Sequence, residues 1–218
     1  PHYRVSEKTN RSFENNSIYL VDSGVQYKDG TTDITRTVII GRPTKEQKDR
    51  FTRVLKGHIA IAKVVFSSDT KGSFLDPIAR KSLQEINCDY DHGTGHGIGS
   101  FLSVHEGPQR ISKSQGQSDG ILYSGMILSN EPGYYKEGEY GIRTENLIIC
   151  LSQKNGLLYF ETISWAPFDI DLIDLTLLNR EEINWINDYH SNVYKKISPK
   201  LNKQERLWLQ SVTTHLVK

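Results

Sequence analysis

Residues 17–40 read SIYLVDSGVQYKDGTTDITRTVII, and this stretch decides the fold. An apolar run at 18–21 is answered by Ile34 and the run at 38–40, on either side of Lys28-Asp29-Gly30. Asp-Gly is a strong turn signal because both residues tolerate positive φ, so the stretch is predicted to form a β-hairpin. Two acids interrupt it: Asp22 closes the first run and Asp33 opens the return strand. A carboxylate set into an apolar strand is expensive to bury unless a cation compensates it.

The arrangement recurs downstream. Residues 126–135 and 141–150 are predicted to pair as a second hairpin, turning at Lys136-Glu137-Gly138-Glu139. Glu131 follows Leu128-Ser129-Asn130, and Glu145 sits in Arg143-Thr144-Glu145-Asn146 ahead of an apolar run. One such acid would ordinarily cap a turn or pair with a surface lysine. Four at corresponding places on two hairpins suggest a shared cation site.

Between the hairpins, Thr44 with Gln47 three residues on forms a capping-box signature. Phe51, Val54, Leu55, Ile59, Ala62 and Phe66 recur at helical spacing, which predicts a helix over 44–66. A second helix is read over 73–87, with Pro77 in about its first turn, where a missing N–H costs little. Residues 91–108, DHGTGHGIGSFLSVHEGP, are too rich in glycine and histidine for plain core. The glycines let the backbone approach closely and leave His92, His96 and His105 free to turn inward. Residues 109–120 read as a polar loop and 157–164 as a last strand.

Near Pro167 the texture changes to helical. Asn179 caps a helix with Glu182 as box partner, Leu178 can staple onto Ile183, Pro199 breaks the helix, and 202–216 forms another. The chain is therefore divided into a unit at 1–166, which carries the acids and the Gly/His segment, and a helical extension at 167–218. His58, His190 and His215 read as helix residues without catalytic company.

Lys+Arg is 27 against Asp+Glu 26, and this balance gives no reason to expect nucleic acid or an anionic membrane as partner. Cys88 and Cys150 suit free thiols in a reducing, cytoplasmic setting. No apolar run approaches the ~20 residues that span a bilayer.

Carboxylates with one imidazole and no thiolate favour Mn, Co, Fe or Zn over soft metals. Several carboxylates for one imidazole argue for two ions sharing bridging oxygens, able to generate hydroxide and clamp a tetrahedral intermediate. A structural zinc would usually show cysteines.

Asp22-Ser23-Gly24, Thr32-Asp33, His96, Glu131-Pro132-Gly133 and Arg143-x-Glu145-Asn146 resemble the ligand set of the pita-bread metallopeptidases. The strings YKDGTTDITRT, HGTGHGIGSFLSVHEGP and NEPGYY…GIRTEN look like the three-domain Xaa-Pro aminopeptidases (aminopeptidase P). SWAPFDIDLIDLTLLNREEINWINDYH is similar to the helical extension of that subgroup. The resemblance implies an α+β pita-bread fold and release of the N-terminal residue from peptides with proline in second position. It implies that Asp22 binds one metal, that Asp33 and Glu145 bridge both, and that His96 and Glu131 complete the second. Two divalent ions are expected, Mn(2+) foremost, with Zn, Co or Fe as alternatives, and a bridging hydroxide as nucleophile. Glu131 would shuttle the proton, and His105 would hydrogen-bond the scissile carbonyl or its oxyanion. His92 would line the proline pocket, His2 would be a further active-site histidine, and Arg143 would orient a ligand carboxylate.

The resemblance also implies a homodimer, to which Trp185, Ile186 and Trp208 could contribute if they are not simply core. The chain opens on Pro1 and His2 without an initiator Met, and the family's catalytic unit begins upstream of the residue matching Pro1. An N-terminally incomplete fold is therefore expected. Competing readings are a prolidase acting on Xaa-Pro dipeptides, an inactive fragment or binding module of the same fold, and a structural β-rich domain. The last leaves HGTGHG and the four matched acids unexplained.

Overall fold

The computed structural model describes residues 6–99, 104–113 and 120–218. His2, assigned above to the active site, lies outside them. The first hairpin forms as read: β1 (Ser17–Tyr27) and β2 (Gly30–Ile40) pair antiparallel from Ser17↔Ile40 to Tyr27↔Gly30. Asp22 stands opposite Thr35 and Gly24 opposite Asp33, which puts all four on one face of the ribbon.

α1 (Lys45–Lys63) starts at the predicted box, with Thr44 Oγ1 accepting from Gln47 N and Gln47 Oε1 accepting from Thr44 N. Such a cap contributes about 1 kcal/mol. The helix stops short of the predicted 66. Val64 is extended, and β3 (Val65–Phe66) pairs with Leu158 and Tyr159. Two β-branched residues in a row disfavour the helix, and an open sheet edge supplies partners for the backbone. α2 (Gly72–Gln84) packs on α1, where Gly57 lies so close to the Ala79 carbonyl that a side chain would not fit. Pro77 is the sixth residue of α2, a turn deeper than expected. Asn87, at φ 57°, turns the chain out after it.

β4 (Gly95–His96) pairs with β5 (Arg110–Ile111), so residues 109–120 are not loop throughout. The fully buried Ile111 anchors this bridge, and one apolar residue among polar ones leaves no periodicity to read.

The second hairpin is present but broken. β6 (Ile127–Asn130) pairs with β9 (Asn146–Ser152), whereas β7 (Gly133–Lys136) pairs with β8 (Tyr140–Arg143). β10 (Leu158–Thr162) completes a four-stranded sheet in the order β3-β10-β9-β6. The break falls at Glu131-Pro132 on one side and Thr144-Glu145 on the other. There the backbone finds other partners: Glu131 N donates to Thr94 O at 2.7 Å and Glu145 N to Thr35 O at 3.1 Å. Both acids are thus drawn toward the first hairpin and the Gly/His segment.

Helix α1 straddles two apolar clusters. Phe51, Val54 and Leu55 join Phe168, Leu172, Ile186 and Val193, while Ile61 joins Phe66, Leu128, Ile148 and Phe160. α3 (Arg180–Ile197) carries the predicted Asn179–Glu182 box, with Leu178 and Ile183 buried in the first cluster. α4 (Lys203–Val212) is shorter than read, because the Thr213 and Thr214 hydroxyls turn back to Leu209 O and Ser211 O. Trp185 and Ile186 belong to the core and its margin, whereas Trp208 is exposed. Among the described residues no helix is long and apolar enough to cross a membrane.

Candidate metal centre

Three elements converge on one cleft. The first hairpin presents Asp22 and Asp33, the break in the second presents Glu131 and Glu145, and β4 presents His96. Gly95 lies against the Ser129 carbonyl and Gly97 against the Glu106 carbonyl, where any side chain would clash. That close approach is what glycine allows, and it carries His96 into the cluster. The cleft encloses ≈ 360 Å³ and is lined by all five of these residues together with His105.

One oxygen each from Asp33 and Glu145 and one ring nitrogen of His96 lie within 4.8 Å of one another. His96 Nε2 stands 3.1 Å from Glu131 Oε1 and 3.6 Å from Asp33 Oδ2. Its Nδ1 donates to Gly97 O at 3.1 Å, which fixes the ring and leaves Nε2 to the carboxylates. Thr35 Oγ1 donates to Glu145 Oε2 at 2.6 Å, and Ser129 Oγ donates to Glu131 Oε1 at 3.0 Å. Arg143 Nη2 donates to Asp22 Oδ2 at 2.6 Å, and its Nε lies 3.8 Å from Glu131 Oε2.

The charges are out of balance. Four carboxylates face one guanidinium. Burial, reinforced by the charges of Asp22 and Glu131, pushes Asp33 up to about 6. Burial and the charges of Glu131 and Asp33 push Glu145 up to about 8. Burial opposes the charged form of His96, but the hydrogen bond and charge of Glu131 outweigh it and hold the ring up to about 9. Carboxyls that prefer their protons and an imidazole that keeps its own are what an anionic cluster shows when protons supply its only compensation. The donor set, oxygens with one imidazole and no thiolate, therefore fits hard or borderline divalent cations.

The remaining expected residues fall around this cluster. The His105 ring packs 4.0 Å from that of His96 at the cleft wall. His92 is not in the lining: its Nε2 accepts from Tyr135 OH at 2.8 Å and its Nδ1 donates to Gly93 O. Arg143 Nη1 donates to the same hydroxyl, so Tyr135 ties His92 to the arginine that holds Asp22. Thr35, Ser129 and Tyr135 were not singled out from the sequence. Thr35 could have been found, since it lies two residues from Asp33 on one face of β2, and Ser129 lies two residues before Glu131; nothing local marks Tyr135. His58 has no contact with the cleft, yet it is fully buried directly behind Asn130 and Asn146. His190 accepts from Phe168 N within the core.

Metallopeptidase family M24 matches residues 1–151, and the C-terminal region of the same peptidases matches residues 156–216. The chain belongs to metallopeptidase family M24. Among M24 proteins it is 46% identical to a probable Xaa-Pro aminopeptidase P of Coprinopsis cinerea over 222 residues, covering 98% of this chain and 36% of that protein. It matches the crystal structure of a Caenorhabditis elegans X-prolyl aminopeptidase, a cytosolic enzyme with a di-nuclear active site, with TM-score 0.91 and 39% identity. That match covers 99% of this chain and 36% of the other. The prolidase of Pyrococcus furiosus matches with TM-score 0.62 and 27% identity, over 71% of this chain and 43% of the other. The fold is thus the mixed α/β pita-bread fold of M24. This M24 chain spans about a third of the length of the curated relatives it matches.

Proposed function

We propose that Asp22, Asp33, His96, Glu131 and Glu145 hold two divalent metal ions, and that the chain carries the active site of an Xaa-Pro aminopeptidase. The observation that carries this reading is the convergence of Asp33, His96 and Glu145 ligand atoms within 4.8 Å, inside a cleft that Asp22 and Glu131 also line. Two bound ions would supply Lewis acidity, generating a nucleophile from water near neutral pH and offsetting charge on the substrate oxygen. Manganese suits the oxygen-rich set, with Zn, Co or Fe competing by availability.

The side chains then have distinct tasks. Asp33 and Glu145 are the candidates to hold both ions, being the two buried carboxylates whose oxygens converge with a ring nitrogen of His96. Glu131, bonded by Ser129 and facing His96, would take the proton and return it to the leaving amine. His105 would donate to the scissile carbonyl as charge develops on it. Arg143 would hold Asp22 in its ligating orientation, and His92, braced by Tyr135, would border the proline subsite. Residues 167–218 would form a helical extension to this unit. The free cysteines and the cytosolic M24 neighbour support a cytoplasmic setting, and Leu207 and Trp208, exposed on α4, offer apolar surface for a homodimer.

Two measurements test the reading. Metal-stripped protein given excess Mn(2+) should take up two ions per chain, and fewer than one would sink it. Cleavage of Xaa-Pro-Yaa tripeptides but not Xaa-Pro dipeptides would identify the aminopeptidase. The reverse preference would make it a prolidase, which the weaker likeness to the prolidase fold disfavours.

A further inference from the structure

Arg36, on β2, is buried on the ribbon face opposite Asp33 and Thr35. Its guanidinium meets six acceptors, none of them a carboxylate. Nη1 donates to Thr35 O at 2.8 Å and to Glu145 O at 2.5 Å. Nη2 donates to Asn146 Oδ1 and Ala166 O, each at 2.7 Å, and to Tyr189 OH at 2.8 Å, while Nε donates to Pro167 O at 3.1 Å. A cation buried on neutral acceptors alone is costly, and mere packing would be served better by an apolar side chain. What this cation does achieve is specific. Together with the Glu145 N bond to Thr35 O, it fixes both backbone groups of Glu145.

The network continues in both directions. Asn146 Nδ2 donates to His58 Nε2 at 3.2 Å, and His58 Nδ1 donates to Asn130 O at 3.0 Å. This reaches the residue before Glu131. On the other side lies Tyr189 of α3, whose hydroxyl accepts from Arg36 and has two acceptors for its own proton, Ala166 O at 2.8 Å and Asn146 Oδ1 at 3.2 Å. Its ring packs in a cluster with Phe168 at 4.7 Å and Trp185 at 5.5 Å, tilted by 24° from the first and parallel to the second.

We propose that Tyr189 is a positioning residue for the metal centre: through Arg36 and Asn146 its hydroxyl holds the strand break that presents Glu145, so helix α3 sets how tightly the carboxylate cluster binds divalent metal. This rests on the metal reading above, since the hydroxyl touches neither the cleft nor any ligand side chain. Partners lying behind ligands typically govern metal affinity by 10–100-fold, because they set ligand orientation.

The test is calorimetric titration of Mn(2+) into the metal-stripped 218-residue chain, with thermal unfolding of each variant alongside. Tyr189→Phe keeps the aromatic stack and deletes only the hydroxyl, and should weaken binding about 10-fold. Trp185→Phe alters the same stack without touching the hydroxyl, and should lower Tm while leaving Kd unchanged. A Tyr189→Phe protein with the wild-type Kd, or equal loss of affinity in both variants, overturns the inference. If Tyr189→Phe does not fold, Asn146→Ser removes the shared acceptor and is judged by the same outcomes. Wild-type chain that binds no Mn(2+) would overturn the metal reading and this inference with it; wild type that binds, with Tyr189→Phe unchanged, overturns this inference alone.

Discussion

Asn130 and Asn146 face each other across β6 and β9 as the last pair before the hairpin breaks, and each adjoins a cleft glutamate in the chain. Glu131 follows the first and Glu145 precedes the second. The ladder therefore ends at the place where two carboxylates must leave it, and the fully buried His58 bonds to both asparagines to close the gap.

The charge imbalance in the cleft makes Glu145 a liability without cations. Held up to about 8, Glu145 must take up a proton when metal-free chain folds at neutral pH; Glu145→Gln removes that cost, so metal-free protein should gain thermal stability relative to wild type. With Mn(2+) at a hundredfold over Kd, wild type should gain about 2.7 kcal/mol for each ion bound, roughly 5–10 °C per ion for a chain of this size. The variant should lose most of that gain. Scanning calorimetry with and without Mn(2+) measures both effects, and equal metal-induced shifts in the two proteins would contradict the assignment.

His58 and His190 predict the acid limb of stability. Burial holds His58 down to about 3 and His190 down to about 4, so both are neutral in the folded chain at neutral pH. The unfolded chain takes up these protons first, near 6.5, so their contribution is intact above that pH and is lost as pH falls toward 3 to 4. At pH 5 each should cost on the order of 2 kcal/mol relative to pH 7. Urea unfolding of wild type and His58→Gln at the two pH values isolates the term. The variant should show the smaller difference between them.

Arg143 joins Asp22 to Tyr135 with a fork that a lysine cannot reproduce. Arg143→Lys should lower Mn(2+) affinity by about 10-fold or more and leave Tyr135, the partner of His92, without its guanidinium donor. Tyr135→Phe should retain metal and instead raise KM for Xaa-Pro-Yaa substrates. The split between metal Kd and KM separates the two residues.

His105→Ala should retain two metal ions and lose about a hundredfold in kcat, the usual scale for deleting one hydrogen bond to a developing oxyanion. Metal stoichiometry and single-turnover hydrolysis on one preparation test this. Loss of metal in His105→Ala would recast the residue as a support for His96, whose ring it packs against.

Much of this was legible in the linear chain. The apolar runs of 17–40 and the Thr44–Gln47 and Asn179–Glu182 boxes are local features and formed as read, although the first hairpin turns at Lys28-Asp29 with Gly30 already paired to Tyr27 and neither Asp29 nor Gly30 at positive φ. The five cleft residues were legible because a carboxylate in an apolar strand violates local preference, and glycine-flanked histidines lack an apolar reason to be there. Tertiary structure alone decided the rest. The second hairpin reads as one continuous pair over 126–135 and 141–150, yet it breaks at Glu131 and Glu145 because their backbone amides find better-placed acceptors in Thr94 and Thr35, some 37 and 110 positions away in sequence. Val65 and Phe66 continue a helical pattern but join a sheet whose free edge exists only once β10 is in place. Arg36, His58 and Tyr189 carry no local sign of their joint work. A hydrogen-bond network across five elements has no period, so composition and spacing cannot reveal it.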